Sequence, residues 1–314
     1  MTTTTAPAAV KAKQRPGDRW FSGTALFAGS MILVTLAAVA IFLIVQSIPG
    51  MTATSETASL LTGNFWQYVG PLAFGTVWAS LLALLMAVPL SVAVALFISH
   101  YAPRRLAQTL GYIVDLLAAV PSVVFGLWGI MVLAPAVQPV YAWLNANAGW
   151  FPLFSGTVSS TGRTIFTASI VLAVMVVPII TAICREIFLQ TPVLHEEAAL
   201  ALGATRWEMV KMAVFPFGRS GIVSASMLGL GRALGETMAV AMVLSVANVV
   251  TFELFTATNP GTIPANIALT FPEAYGTNIN VLIATGLILF VVTFAVNALA
   301  RWIVSRRKEF SGAN

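Results

Sequence analysis

Charge is what this sequence has least of. Only 9% of its 314 residues are Asp, Glu, Lys or Arg, against about 25% in an ordinary soluble domain, while 58% are hydrophobic. With a mean hydropathy of +0.90 the chain belongs in lipid. A single cysteine, Cys184, excludes an internal disulfide, and its place inside an apolar run reads as a buried, inert thiol. The two histidines, His100 and His195, are far apart and show no ligand spacing, so a metal site has no support. No G-x-x-x-x-G-K-S/T run is present, which excludes ATP binding through a P-loop. Gly229-Leu230-Gly231 begins like a dinucleotide fingerprint, but Leu234 stands at its third glycine position and no strand precedes it. No internal repeat is discernible. The net charge of +5 does not indicate nucleic acid, because the Lys and Arg residues sit between apolar runs and not on one face.

What is present is a series of six apolar runs of about spanning length, near residues 24–46, 71–98, 110–134, 164–184, 221–247 and 279–304. They predict an all-α polytopic membrane protein of six transmembrane helices, with Pro89, Pro121 and Pro178 kinking the runs that contain them. The first run is longer than a signal-peptide core and lacks an A-x-A site, so it reads as a retained helix. Residues 1–23 read as a disordered cytoplasmic tail ending at the interfacial pair Trp20-Phe21, residues 24–304 as the transmembrane domain, and residues 305–314 as a C-terminal tail.

Lys and Arg set the orientation. Lys11, Lys13, Arg15, Arg19, Arg104, Arg105, Arg185, Arg206, Lys211, Arg219, Arg301, Arg306, Arg307 and Lys308 fall on one side of the six spans, and only Arg163 on the other. Both termini are therefore expected in the cytoplasm of a multi-pass inner-membrane protein. The connections 47–70 and 248–278 hold Glu56, Glu253 and Glu273 but no Lys or Arg, and face outward. The outer connection 135–163 carries Trp143, Trp150, Phe151 and Phe154, which suits a segment in the headgroup layer or one that receives a partner.

Residues 191–216, TPVLHEEAALALGATRWEMVKMAVFP, are too polar to span and encode two short helices. Thr191 can cap the first, with Pro192 opening it; Leu194, Ala198, Ala201 and Leu202 share a face, and Gly203 suits a left-handed stop. Thr205 and Glu208 form a T-x-x-E capping box for the second. Pattern alone leaves two readings open, a rigid docking knob for another protein or an amphipathic hairpin on the lipid surface.

Glu197-Ala198-Ala199, three further residues, Gly203 and the closing Pro216 resemble the EAA loop of ABC importer permeases, where this loop is the coupling element seated in a cleft of the ATP-binding subunit. The family pattern has Ile and Leu shortly before the proline; here Ala213 and Phe215 stand there, which puts those two contacts in doubt. VPSVVFG at residues 120–126 and GLGRALGETMAV at residues 229–240 further resemble the PstC-type permeases of the phosphate-specific transport system. The resemblance implies a type I ABC importer permease fold and no enzymatic activity in this chain, with ATP and Mg bound by partner subunits. It implies as partners a PstA-type second permease, two PstB-type ATP-binding subunits and an extracytoplasmic PstS-type phosphate-binding protein. Glu197, Ala198, Ala199 and Gly203 would carry the coupling to ATP hydrolysis.

With the fifth run taken as one helix, Arg232 lies about halfway along it, roughly 17 Å from its inner start, too deep to snorkel. Glu236 follows four residues later on the same face and is the expected partner. Arg232 can offer its planar fork to a phosphate oxyanion, or the pair can serve packing alone. Glu236 can accept the proton of hydrogen phosphate, which sulfate lacks, or can neutralise Arg232 while the path is empty. Ser122 beside Pro121 is a further candidate for the path, and Asp115 reads as a local interface residue. The rival functions are a permease for sulfate, molybdate or another oxyanion, a secondary anion carrier, which should show repeats and more relay carboxylates, and a membrane sensor of phosphate.

Overall fold

An apolar chain in lipid has no water for its backbone donors, so each segment must close its own hydrogen bonds, and helix results. The structure, a computed structural model, describes residues 16–308. In chain order the helices are α1 (Pro16–Met51), α2 (Phe65–Leu96), α3 (Arg104–Ala118), α4 (Ser122–Trp128), α5 (Ala134–Ala148) and α6 (Ile165–Leu189). There follow α7 (Val193–Ala201), α8 (Arg206–Met209), α9 (Phe215–Leu234), α10 (Met238–Val243), α11 (Ile263–Thr270) and α12 (Thr277–Lys308). Wider π turns prolong α2 through Phe97–Tyr101, join α4 to α5 through Gly129–Leu133 and join α8 to α9 through Val210–Val214. Among the described residues no strand forms, only two isolated bridges.

Six helical stretches are long and apolar enough to cross a membrane: Trp20–Met51, Phe65–Tyr101, Ser122–Ala148, Ile165–Leu189, Arg206–Leu234 and Thr277–Trp302. The count agrees with the sequence, but the first, third, fifth and last spans differ in extent; the fifth, expected at residues 221–247, runs instead over Arg206–Leu234. The first helix begins at Pro16, so part of the stretch expected as a tail is helical, and the last runs on to Lys308; residues 1–15 and 309–314 lie outside the described residues. The third span is displaced by more than ten residues. Pro121 lacks a donor and crowds the turn before it, so it ends α3 outright instead of kinking it, and the span begins afresh at Ser122. The segment after residue 134, expected as a loop, is thus α5.

The buried centre is α6, packed between α2 and α9. Its backbone comes close to α9 because Gly218, Gly221, Ala225 and Gly229 line one face of α9, and a Cβ on Gly229 would sit 2.6 Å from the Val176 side chain. At Pro178 the Ser91 hydroxyl of α2 donates to the Val177 carbonyl at 3.1 Å, tying the two helices where the proline has removed a donor. Cys184 is fully buried here. Outside this core α1 packs along α12, where Asn280 donates to the Gln46 carbonyl at 2.8 Å.

Candidate functional site

The fifth span is a broken helix. Gly235 caps α9 with near-zero ψ, and the chain restarts as α10 after Thr237. A carboxylate oxygen of Glu236 accepts from the Ala239 N–H at 3.1 Å, so this buried side chain satisfies the opening turn of α10. At the other end Arg163, the lone outer cation of the sequence, donates Nη2 to the Met242 carbonyl at 3.1 Å and Nε to the Val243 carbonyl at 3.5 Å. Two side chains of opposite charge thus hold a six-residue helix by its termini.

α10 lies on α4, and glycine makes the contact possible. A Cβ on Gly126 would meet the Ala239 backbone at 2.9 Å, and one on Gly129 would meet Val243 at 2.8 Å. The two sequence segments singled out above, residues 120–126 and 229–240, therefore meet here. Asn259, fully buried, locks the surroundings: its amide donates to the Ser245 carbonyl at 3.0 Å and accepts from the Ile165 N–H at 2.9 Å.

The expected Arg232–Glu236 pair does not form. The i, i+4 rule requires one continuous helix, and the stop at Gly235 takes Glu236 out of register with Arg232. Arg232 is exposed, has no ion-pair or hydrogen-bond partner among the described residues, and lies in the last turn of α9, not halfway along a span. It lines a groove of about 940 Å³ between α6, α9 and α12, together with Ser224, Asn297 and Arg301. Ser122 opens α4 behind Pro121, half-buried and outside that groove. Asp115 is local, 3.8 Å from Arg185, whose other carboxylate partner is Glu186 at 2.7 Å.

The loop at residues 191–216 folds as a helix, a glycine turn and a second helix. Thr191 does not cap the first: Pro192 occupies the cap position, and the buried Thr191 hydroxyl has no partner. Gly203 ends α7 at φ +84°, with open space where a Cβ would go, so conformation alone demands glycine. The Thr205–Glu208 capping box forms, with the carboxylate accepting from the Thr205 N–H at 2.8 Å, and its helix continues into α9 instead of ending. Glu197 and Ala198 are exposed and Ala199 buried, while Leu194 and Leu202 of the predicted face stand 74% and 90% exposed. Phe215 turns inward, edge-on to Phe188 and Trp207.

Residues 87–309, which include the loop, the broken helix and the groove, match the family of binding-protein-dependent transport system inner membrane components. The phosphate transport system permease protein PstC 2 of Mycobacterium tuberculosis is 50% identical over 95% of this chain and 96% of its own length. The chain belongs to the PstC permeases. PstC of Mesorhizobium japonicum is 39% identical over 94% of this chain and 92% of its own. In fold, this PstC permease is similar to a crystal structure of a bacterial ABC transporter involved in the import of the acidic polysaccharide alginate, with a TM-score of 0.56, 18% identity, and coverage of 90% of this chain and 98% of that one. It is a multi-pass membrane protein of an ABC system.

Sequence reasoning passed over four residues of this site. Arg163 was legible only as a breach of the charge bias, Asn259 and Asn297 as polar residues without a pattern, and Arg301 as one more cation at a helix end. His100 was also missed. Its Nε2 lies 3.3 Å from the Glu196 carboxylate, joining α7 to the π turn that prolongs α2, and no spacing rule relates residues 96 apart.

Proposed function

We propose that this chain is the membrane permease subunit of an ATP-driven importer of inorganic phosphate. The observation that carries it is the full-length 50% identity to a phosphate transport permease, in a chain whose two matching motif segments are packed against each other around a broken helix. Arg232, Glu236 and Ser122 are assigned to the substrate path. Arg232 meets the oxyanion, and Glu236 acts by holding α10. The loop with Glu197, Ala198, Ala199 and Gly203 docks into ATP-binding subunits, and the exposed Leu194–Leu202 face supports this. A second permease completes the path, a phosphate-binding protein delivers substrate to the outer loops, and both termini lie in the cytoplasm of the inner membrane. ATP and Mg are held by the partner subunits, whose closure would rock the permeases between inward and outward states.

The test is uptake of radiolabelled phosphate into vesicles holding the complete complex, with ATP inside and the binding protein outside. ATP-dependent phosphate uptake is expected. Uptake of sulfate or molybdate in its place, each supplied with a matching binding protein, would overturn the substrate assignment.

A further inference from the structure

The groove between α6, α9 and α12 has an unusual balance of charge. Its lining holds two guanidinium groups, Arg232 and Arg301, the side-chain amide of Asn297, the hydroxyl of Ser224, and no carboxylate. Neither arginine has an ion-pair or hydrogen-bond partner among the described residues. The neighbouring recess shows the contrast, since Arg104 and Arg185 share it with Asp115. Two arginines lining one groove, with no carboxylate beside them, give it a positive potential that favours an anion.

The helices arrange these groups in order. Gly218, Gly221, Ala225 and Gly229 turn one face of α9 to α6, which leaves Ser224, Leu228, Gly231 and Arg232 on the face that lines the groove. A Cβ on Gly231 would meet nothing within 4 Å, so the wall beside Arg232 is open. Ser224 and Arg232 are about 12 Å apart along the helix. On α12, Asn297 and Arg301 are four residues apart and present one face. Retention of a cytoplasmic helix end requires a cation at any angle around the axis; it does not require that cation to line the cavity of Arg232.

We infer that Arg232 and Arg301, with Asn297 and Ser224, form a two-station site for a phosphate-class oxyanion, with Arg301 as the inner, release station. The inference rests on the proposed import of phosphate and on the orientation given by the Lys and Arg distribution. Two weak stations in series suit transport, because an ion must bind well enough to enter and loosely enough to leave. Arg supplies forked donors without an acceptor, and Asn297 adds an amide donor to the inner station. The same chemistry would recognise the headgroup phosphate of an anionic lipid.

The test is equilibrium binding of radiolabelled inorganic phosphate to the complete complex in lipid nanodiscs, without nucleotide or binding protein. One set of discs contains only phosphatidylcholine and the other also phosphatidylglycerol. Arg301→Gln should weaken phosphate binding about tenfold in the neutral discs, the equivalent of one lost charge-assisted hydrogen bond, and Arg301→Lys should restore part of it. Asn297→Ala should shift it less, and the melting temperature of each variant should stay within a few degrees of the unaltered complex. If phosphatidylglycerol displaces phosphate from the unaltered complex but not from Arg301→Gln, the station also takes headgroups. Binding by Arg301→Gln equal to the unaltered complex in both discs, or no phosphate binding by the unaltered complex in either, would overturn the inference. Uptake by the unaltered complex is scored separately: phosphate import combined with Arg301-independent binding sinks the release station alone, and failure of import sinks the functional assignment.

Discussion

At the scale of single residues, the separation of Arg232 from Glu236 changes what their removal should do. Arg232 is exposed and without an ion-pair partner among the described residues, so Arg232→Ala should abolish phosphate uptake while leaving the melting temperature of the assembled complex nearly unchanged. Glu236 is a buried capping group, so Glu236→Ala should cost about 1 kcal/mol of stability, and Glu236→Gln, which keeps an acceptor, less. In a double-mutant cycle the stability effects should add to within about 0.5 kcal/mol. A coupling energy well above that would mean that the two side chains pair after all. Gly203 permits an equally sharp test. Its φ of +84° strains a β-branched residue by roughly 1–2 kcal/mol, whereas Asn tolerates this region, and no neighbour obstructs either side chain. Gly203→Val should therefore lose co-purifying ATP-binding subunit and Gly203→Asn should keep most of it.

At the scale of elements, the informative unit is α10 with its supports. It is too short to be stable alone, and its position is set by Glu236 at one end, Arg163 at the other, and Gly126 and Gly129 beneath it. Gly126→Val would place side-chain atoms against the Ala239 backbone, which cannot rotate away. Destabilisation of about 1–3 kcal/mol is expected, read as a lower unfolding midpoint of the purified complex, with loss of uptake. Gly231→Ala, on the open face of α9, should leave the unfolding midpoint unchanged. Equal effects of the two substitutions would show that α10 does not lie on α4. The third span carries the same lesson, because Pro121 ends a helix that hydrophobicity alone would have carried straight through.

At the scale of the whole molecule, six spans and a one-sided distribution of Lys and Arg place the loop at residues 191–216 and the connection at residues 47–70 on opposite sides of the membrane. The single native thiol, Cys184, is fully buried and should not react with an aqueous maleimide in the intact complex. With the ATP-binding subunits removed, Leu202→Cys, at a site 90% exposed, should then label only from the cytoplasmic side, and Glu56→Cys only from the outside. Labelling of both from one side would contradict the six-span arrangement. The sequence by itself determined the class, the number of spans and the helix–glycine–helix form of residues 191–216, because these follow from local physics: apolar length, a capping box, a glycine that must adopt positive φ. It also pointed to Arg232 and Glu236 as the residues of the path. Only the tertiary structure decided that the two stand apart. Gly235 within an apolar run could be a tolerated helical glycine or a stop, and the choice depends on α4 offering a surface for α10 and on Arg163 reaching its carbonyls from 79 residues away. The meeting of Arg232 with Arg301 and Asn297 across a groove likewise depends on which face of α9 its glycines turn toward α6, a packing fact that no periodicity in a single segment contains.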